Sequence, residues 1–204
     1  MKTAIVQHEI RERDVEWTLQ HIAGLMDEQS GADLYVLSEM FATGFMAEGA
    51  EDKAERVFAW MKEQAQRRNA AIAGSVAVSV KSEEWSVKSE ERGERLLRNR
   101  LYFVRPDGSY ELYFKRHTFT MGGEDKLVER GEKQLIVELN GWKIKPKRKT
   151  QLLPRLSHWK RMVIFTTASF GCVLTAVMNY TSSDTPLLWA ARTNSWNAVI
   201  NSCL

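Results

Sequence analysis

Cysteine is scarce in this sequence, with only Cys172 and Cys203 among 204 residues. Two cysteines are too few for the disulfide framework that stabilises many small secreted domains. The N-terminal stretch MKTAIVQHEIRERD also lacks the long apolar run of a secretory signal. We therefore expect a cytoplasmic protein whose stability comes from a hydrophobic core.

Acidic residues almost disappear from the last third of the chain. Residues 1–138 contain 20 Lys+Arg and 25 Asp+Glu, whereas residues 139–204 contain 9 and 1. Eight of these nine basic residues fall within 143–161. Trp142 and Trp159 offer stacking surfaces beside them, but a charge run is more often a solvated segment than a nucleic-acid site. We expect no nucleic-acid partner.

Charges of both signs are missing from residues 162–183, MVIFTTASFGCVLTAVMNYTSS. These 22 residues are long enough to span a bilayer. The stretch is rich in Thr, Ser and Gly rather than in Leu and Ile, which favours buried strands over a membrane span. We expect no membrane partner.

The remaining composition is ordinary globular material, 44% hydrophobic and 27% charged, and we expect a single domain over residues 1–204. Apolar residues at helical spacing alternate with short runs of strand-forming residues, which predicts an α/β fold that begins β-α-β. Helices are predicted over 14–29, with Asp14 as N-cap, and over 51–70. Strands are predicted over 3–10, 34–39 and 70–80. Two hairpins are predicted, over 95–117 with a turn at Pro106-Asp107-Gly108 and over 133–146 with a turn at Asn140-Gly141.

A short tandem repeat interrupts this pattern. The heptad SVKSEEW at 79–85 is followed at once by SVKSEE at 86–91. Two units cannot sustain a coiled coil, so the repeat indicates a short duplication. We expect it to lengthen a surface loop at little cost in loop-closure entropy.

Three charged residues stand close to predicted strands: Glu39 after LYVLS, Lys115 after YELYF, and Glu124 in MGGEDK. Taken singly, each is explained by exposure to solvent, because charged residues are rarely buried. The flanking sequences indicate more. ADLYVLSEMFATGF (32–45) and NRLYFVRPDGSYELYFKRHTFTMGGEDKLVERG (99–131) resemble, in order, two catalytic blocks of the nitrilase, or carbon-nitrogen hydrolase, superfamily. Long blocks in the right order are more specific than a short motif.

Within that superfamily the chain is most similar to the omega-amidase branch, and GWKIKP (141–146) resembles the strand that leads into a third block. The resemblance covers residues 1–146 and implies an α-β-β-α sandwich, two sheets face to face with helices outside, that dimerises in intact members. Residues 147–204 form an aberrant tail beyond the resemblance. We therefore expect a sandwich that is incomplete at its C-terminus.

The resemblance also implies a site of Glu, Lys and Cys that uses no metal or organic cofactor. A cysteine thiolate would attack an amide carbonyl and form a thioester. Glu39 would be the general base, Lys115 would stabilise the oxyanion, and Glu124 would position the substrate or the lysine. The family commonly has Asp just before this lysine, where the chain has Phe114. The implied substrate is a small omega-amide, which would be hydrolysed to a carboxylate and ammonia.

The nucleophile of this site is missing from its expected place. After KIKP the family continues into a block like V-C-Y-D-L-R-F-P, whereas the chain reads KRKTQLLPRLSHWKRM. The loss coincides with the break in charge, as expected for a frame-shifted or truncated stretch of coding sequence. Cys172 lies 26 residues past Pro146 in the apolar context ASFGCVLTAV, which favours an inert thiol. Two hypotheses follow: an amidase, in which Cys172 would have to replace the nucleophile, or an inactive relic that keeps a binding or dimerising surface.

Overall fold

A computed structural model of the chain describes residues 1–11, 13–44, 48–79, 97–118 and 124–145 with their side chains, and Pro146 and four strands within 161–202 by their backbone. The described strands form one sheet of six strands and one of five. Together with the helices on the first sheet, they give the predicted α/β sandwich.

The first sheet is mixed. Its strands are β1 (Thr3–Gln7), β2 (Leu34–Leu37), β3 (Ala71–Ser79), β4 (Leu97–Val104), β5 (Tyr110–Phe114) and β11 (Ala198–Ser202). They lie in the order β11-β1-β2-β3-β4-β5. β1, β2 and β3 are parallel, as β-α-β connections require, while β4, β5 and β11 run antiparallel to their neighbours.

Two helices provide the parallel connections, α1 (Val15–Glu28) and α2 (Ala54–Arg68). Asp14 caps α1 by accepting a hydrogen bond from the Trp17 amide at 3.0 Å, which confirms the predicted N-cap. α2 begins later than predicted because a 3-10 turn, Ala50–Lys53, precedes it. It ends at Asn69, whose left-handed backbone (φ 49°) is a common helix terminator.

The hydrophobic core follows the two-residue period of the strands. In β1 and β2, Ala4, Val6, Tyr35 and Leu37 belong to a cluster that also contains the apolar faces of α1 and α2. The residues between them face the opposite way, where Ile5, Leu34 and Val36 pack in one cluster with Trp142 and Ile144 of the second sheet. The first sheet is therefore buried between helices and the second sheet.

The second sheet lies in the order β10-β9-β8-β7-β6, with strands β6 (Val137–Leu139), β7 (Trp142–Pro146), β8 (Arg161–Ser169), β9 (Cys172–Tyr180) and β10 (Leu187–Ala190). β6 and β7 form the predicted hairpin, and Asn140 and Gly141 both have positive φ (49° and 75°), as a tight two-residue turn requires. The other predicted hairpin joins β4 to β5, with Gly108 at φ 82°.

The uncharged run at 162–183 contributes β8 and β9, so the described part of this run is strand, as predicted. Among the residues that the structure describes, no helix is long and apolar enough to cross a membrane. β3 and β4 pair along their whole length, and Ser79 lies opposite Leu97. Apart from Ser79, the heptad repeat falls between these two residues, outside the described part of the chain.

Candidate active site

Glu39 lies on a tight turn that follows β2. The next residue, Met40, has a left-handed backbone (φ 49°), and the amides of Thr43 and Gly44 donate to its carbonyl oxygen at 3.2 and 2.9 Å. A left-handed conformation at a residue other than glycine is strained and persists only where the surroundings hold it. Strain of this kind is common at functional sites, and here it falls beside the predicted general base.

Neighbouring strands hold this turn. On one side, His8 just past β1 lies with Nε2 2.7 Å from the Phe41 carbonyl oxygen. On the other, Ser75 of β3 accepts a hydrogen bond from the Met40 amide at 3.1 Å. Gly74 leaves the room for this packing, because a Cβ there would lie 2.8 Å from the Phe41 ring.

Two backbone hydrogen bonds, to segments on either side, fix the position of Lys115. Its amide donates to the Asn99 carbonyl at 3.0 Å, and its own carbonyl accepts from the Gly131 amide at 2.9 Å. This close approach requires glycine, because a Cβ on Gly131 would lie 2.3 Å from the Phe114 carbonyl oxygen. The end of β5 is therefore fixed between β4 and the chain near Gly131.

Glu124 is the first residue of α3 (Glu124–Leu127), a single helical turn. The segment after α3 runs beside the start of β4, where the Glu129 amide donates to the Leu97 carbonyl at 2.8 Å. Arg98 and Glu129 form an ion pair there at 2.8 Å. These contacts explain how α3 is held beside β4 and β5, with Glu124 facing Lys115.

The three predicted site residues converge. Lys115 Nζ lies 2.6 Å from Glu39 Oε1, and 2.5 and 2.6 Å from the two carboxylate oxygens of Glu124. Glu39, Lys115 and Glu124 are 3%, 5% and 0% exposed, which excludes the solvated alternatives considered for each. A buried group of two carboxylates and one ammonium is expensive to desolvate, so its presence favours a functional role.

The two oxygens of the Glu39 carboxylate differ in their surroundings. Oε1 accepts hydrogen bonds from Lys115 Nζ and from Asn99 Nδ2, each at 2.6 Å. Oε2 is buried and has no hydrogen-bond partner among the described residues. One oxygen is therefore held by two donors, while the other is available to accept a proton or a hydrogen bond from a bound molecule.

Glu39 and Lys115 do not come from adjacent strands. β3 and β4 separate β2 from β5, a distance of about 14 Å across a sheet. The turn after β2 crosses over β3, as the hydrogen bond between Met40 and Ser75 shows. The long side chain of Lys115 spans the remaining distance to Glu39. Glu124 reaches Lys115 from the start of a helical turn.

Sequence reasoning missed Asn99, which is 3% exposed and donates to Glu39. The available signal was an asparagine within a predicted strand, with an arginine on each side of it in the sequence, because a buried amide needs specific partners. His8 and Ser75 were also missed, and no local pattern distinguishes them from ordinary strand-end and strand residues.

Phe114, where the family commonly has Asp, lies on the opposite face of β5 from Lys115, because successive strand residues alternate. The centre of its ring lies 5.0 Å from Arg98 Cζ and 5.1 Å from Arg100 Cζ. The substitution therefore changes the outer face of the strand and leaves the Lys115 ammonium in place.

His8 gives the fold a pH dependence. Burial lowers the pKa of its imidazole from 6.5 to about 4, although the bond to the Phe41 carbonyl acts in the other direction. Between these values the unfolded chain binds more protons than the folded one, so stability falls as the pH is lowered from 6.5 to 4. We expect a loss on the order of 2 kcal/mol from this group.

Urea unfolding at a series of pH values between 7 and 4 measures this loss. The variant His8→Gln, which cannot titrate, should show a shallower fall in unfolding free energy over the same range. Equal slopes for the two proteins would show that His8 is not the responsible group.

Metal-ligating side chains and the two cysteines were also considered as parts of the site. Where side chains are described, no three His, Cys, Asp or Glu residues are arranged to hold a metal ion. Cys172 is the first residue of β9, opposite Ser169 of β8, and its side chain lies outside the described part of the chain, as does Cys203.

Comparison with protein families gives a match to the model for carbon-nitrogen hydrolases over residues 2–152. Among curated proteins, omega-amidase YafV of Escherichia coli (strain K12) is 35% identical over 148 residues, covering 72% of this chain and 53% of the relative. Omega-amidase YafV of Yersinia enterocolitica is 32% identical with the same coverage. The chain thus spans about half the length of the curated relatives it matches.

Solved structures show the same fold. A CN-hydrolase superfamily protein from Xanthomonas campestris, which carries an arsenic adduct in its active site, has a TM-score of 0.69 at 20% identity over 99% of this chain and 89% of that one. An amidase mutant from Nesterenkonia sp. AN1, with acrylamide added at its active site cysteine, has a TM-score of 0.65 at 15% identity over 100% and 93%.

Proposed function

The chain belongs to the carbon-nitrogen hydrolase family, and from this premise we propose that Glu39, Lys115 and Glu124 are the acid–base half of a site that hydrolyses a small amide. The observation that carries the proposal is the buried group itself: an ammonium held between two carboxylates, with one oxygen of Glu39 left without a partner among the described residues. This arrangement suits proton transfer in a water-poor pocket.

In the proposed reaction a thiol attacks the amide carbonyl and transfers its proton to Glu39. The carbonyl oxygen gains negative charge, which the Lys115 ammonium stabilises. The C–N bond then breaks as Glu39 returns the proton to the leaving nitrogen, so ammonia and a thioester form. Glu39 next takes a proton from water as the water oxygen attacks the thioester. The C–S bond then breaks and Glu39 returns this proton to the sulfur, which restores the thiol. The carboxylic acid product leaves and loses its proton to the solvent.

Glu124 and Asn99 hold the two reacting side chains, Lys115 and Glu39, in position. Glu124 accepts from Lys115 through both oxygens and so fixes the ammonium. Asn99 and Lys115 both donate to Oε1 of Glu39, which directs the other oxygen, Oε2, to the reacting proton. The roles need no metal or organic cofactor.

The substrate class we propose is a small omega-amide, the monoamide of a dicarboxylic acid. Support comes from the relatives named as omega-amidases at 32–35% identity. A homodimer, a cytoplasmic location and the absence of nucleic-acid and membrane partners stay predictions from the sequence.

A second function is favoured by a specific observation, the loss of the family's cysteine block after Pro146. The family match ends at residue 152, close to the change in charge. We propose that the chain as written is an inactive relative that retains the half-site, and that its tail, residues 147–204, comes from a shifted reading frame.

The frame can be read directly. Translating codons 140–204 of the gene in the other two frames is expected to give a Cys-Tyr-Asp-like block shortly after KIKP. This observation needs no protein, and the absence of such a block from every frame would rule out the shift.

Ammonia release tests the amidase function. A chain carrying the frame-restored tail is expected to hydrolyse small omega-amides, and its Glu39→Gln variant is expected to lose at least about a thousandfold in rate, as loss of a catalytic group in a concerted site typically does. A restored chain that folds and releases no ammonia from any dicarboxylic monoamide would contradict the assignment.

A further inference from the structure

The turn that carries Glu39 is held from both sides. β2 lies between β1 and β3 in the sheet, and each neighbour supplies one side chain. His8 lies one residue past β1, with Nε2 2.7 Å from the Phe41 carbonyl, and Ser75 of β3 accepts from the Met40 amide at 3.1 Å. The two bonds thus meet consecutive residues directly after Glu39.

The hydrogen-bonding role of each His8 ring nitrogen follows from the partner of Nε2. A carbonyl oxygen only accepts, so Nε2 of His8 must carry the proton. Because burial lowers the pKa of this imidazole to about 4, the ring is neutral at pH 7 and its Nδ1 is an acceptor. This atom is buried without a partner among the described residues. A buried unsatisfied nitrogen is unfavourable, so its retention points to a use for the other nitrogen.

These hydrogen bonds stabilise a backbone conformation that is unfavourable on its own. Met40 is fully buried and left-handed, a conformation that an isolated methionine avoids. Gly74 lets the Phe41 ring pack against β3 and bring the turn close to Ser75. A rotation at Met40 would move the neighbouring Glu39 carboxylate away from Asn99 and Lys115.

We propose that His8 and Ser75 are positioning residues, which hold the Met40–Phe41 turn from opposite sides and so aim the Glu39 carboxylate. The role in catalysis rests on the proposed function, whereas the effect on carboxylate position does not. The hydrogen bonds of both residues go to the backbone of the turn, to the Phe41 carbonyl and the Met40 amide, so each acts on Glu39 through that backbone.

The side-chain amide of Asn99 reports the position of Glu39, because its Nδ2 donates to Glu39 Oε1 at 2.6 Å. In the purified full chain, the ¹⁵N–¹H signals of this amide identify themselves by their disappearance in Asn99→Ser. Backbone hydrogen exchange at Met40, Thr43 and Gly44 reports the turn, and exchange at Ile72 in β3 reports the sheet.

We expect Ser75→Ala and His8→Leu each to move the Asn99 signals toward those of a free amide and to speed exchange in the turn by at least about tenfold, with exchange at Ile72 changed less. His8→Gln retains an N–H donor at similar reach and should restore the wild-type signals. Ser109→Ala, the same change in the exposed turn between β4 and β5, should leave them unmoved.

Unmoved Asn99 signals in Ser75→Ala and His8→Leu would overturn the proposal. So would equal acceleration at Ile72 and in the turn, because the bonds would then serve only global stability. A response from one variant alone would assign the role to that residue and remove it from the other. These readouts need no turnover, so a failure of the amidase function would appear separately in the ammonia assay.

Discussion

Replacing Lys115 by methionine is expected to lower the free energy of unfolding by about 3–5 kcal/mol. The substitution keeps the apolar stem but removes the ammonium from between Glu39 and Glu124, which would then face each other as buried carboxylates. Removing one partner of a buried ion pair is far more destabilising than replacing the whole group, because a charge is left without compensation.

The matched variant Lys115→Met/Glu39→Gln/Glu124→Gln leaves no buried charge in this group and should recover most of the loss. Lys126→Met, on the exposed side of the same helical turn, should stay within about 0.5 kcal/mol of wild type. Urea unfolding measures all three variants. A Lys115→Met protein as stable as Lys126→Met would show that the ammonium is not held between the two carboxylates.

The second large effect concerns the chain as written, which is expected to release no ammonia from small omega-amides. In the proposed mechanism Glu39 and Lys115 polarise an amide, but without a thiol no acyl intermediate forms. Loss of a nucleophile typically lowers the rate by several orders of magnitude. A Cys172→Ala variant should behave identically, because the apolar sequence around Cys172 favours an inert thiol.

Both proteins are tested at equal concentration, with the frame-restored chain as the positive control for the assay. Turnover by the chain as written that disappears in Cys172→Ala would make Cys172 the nucleophile and refute the inactive-relative proposal. Turnover that survives in Cys172→Ala but is lost in Glu39→Gln would require a nucleophile other than this cysteine.

Much of the fold was predictable because its signals are local. The period of apolar residues located α1 and α2, Asp14 marked a helix start, and Asn140-Gly141 marked a hairpin. Such patterns depend on neighbours within a few residues, which the sequence displays directly. The start of α2 was missed because a 3-10 turn and an α-helix share the same short-range spacing.

The site was predictable only in part, because its geometry depends on pairing between distant segments. The resemblance selected Glu39, Lys115 and Glu124, but the strand order that places β3 and β4 between Glu39 and Lys115 is not written in either motif. Asn99 enters the site through its pairing position on β4, 60 residues from Glu39. A contact of that span is set by the whole sheet rather than by local sequence.

The pairing of Ser79 with Leu97 also bears on how this chain tolerates change in length. The ends of the 80–96 connection are fixed against each other by the β3–β4 ladder, whatever lies between them. Removing one heptad would shorten 17 connecting residues to 10, and loop-closure entropy changes by only about 0.5 kcal/mol for that ratio. This hairpin is therefore a natural place for gain or loss of sequence during evolution, and a practical one for inserting an affinity tag.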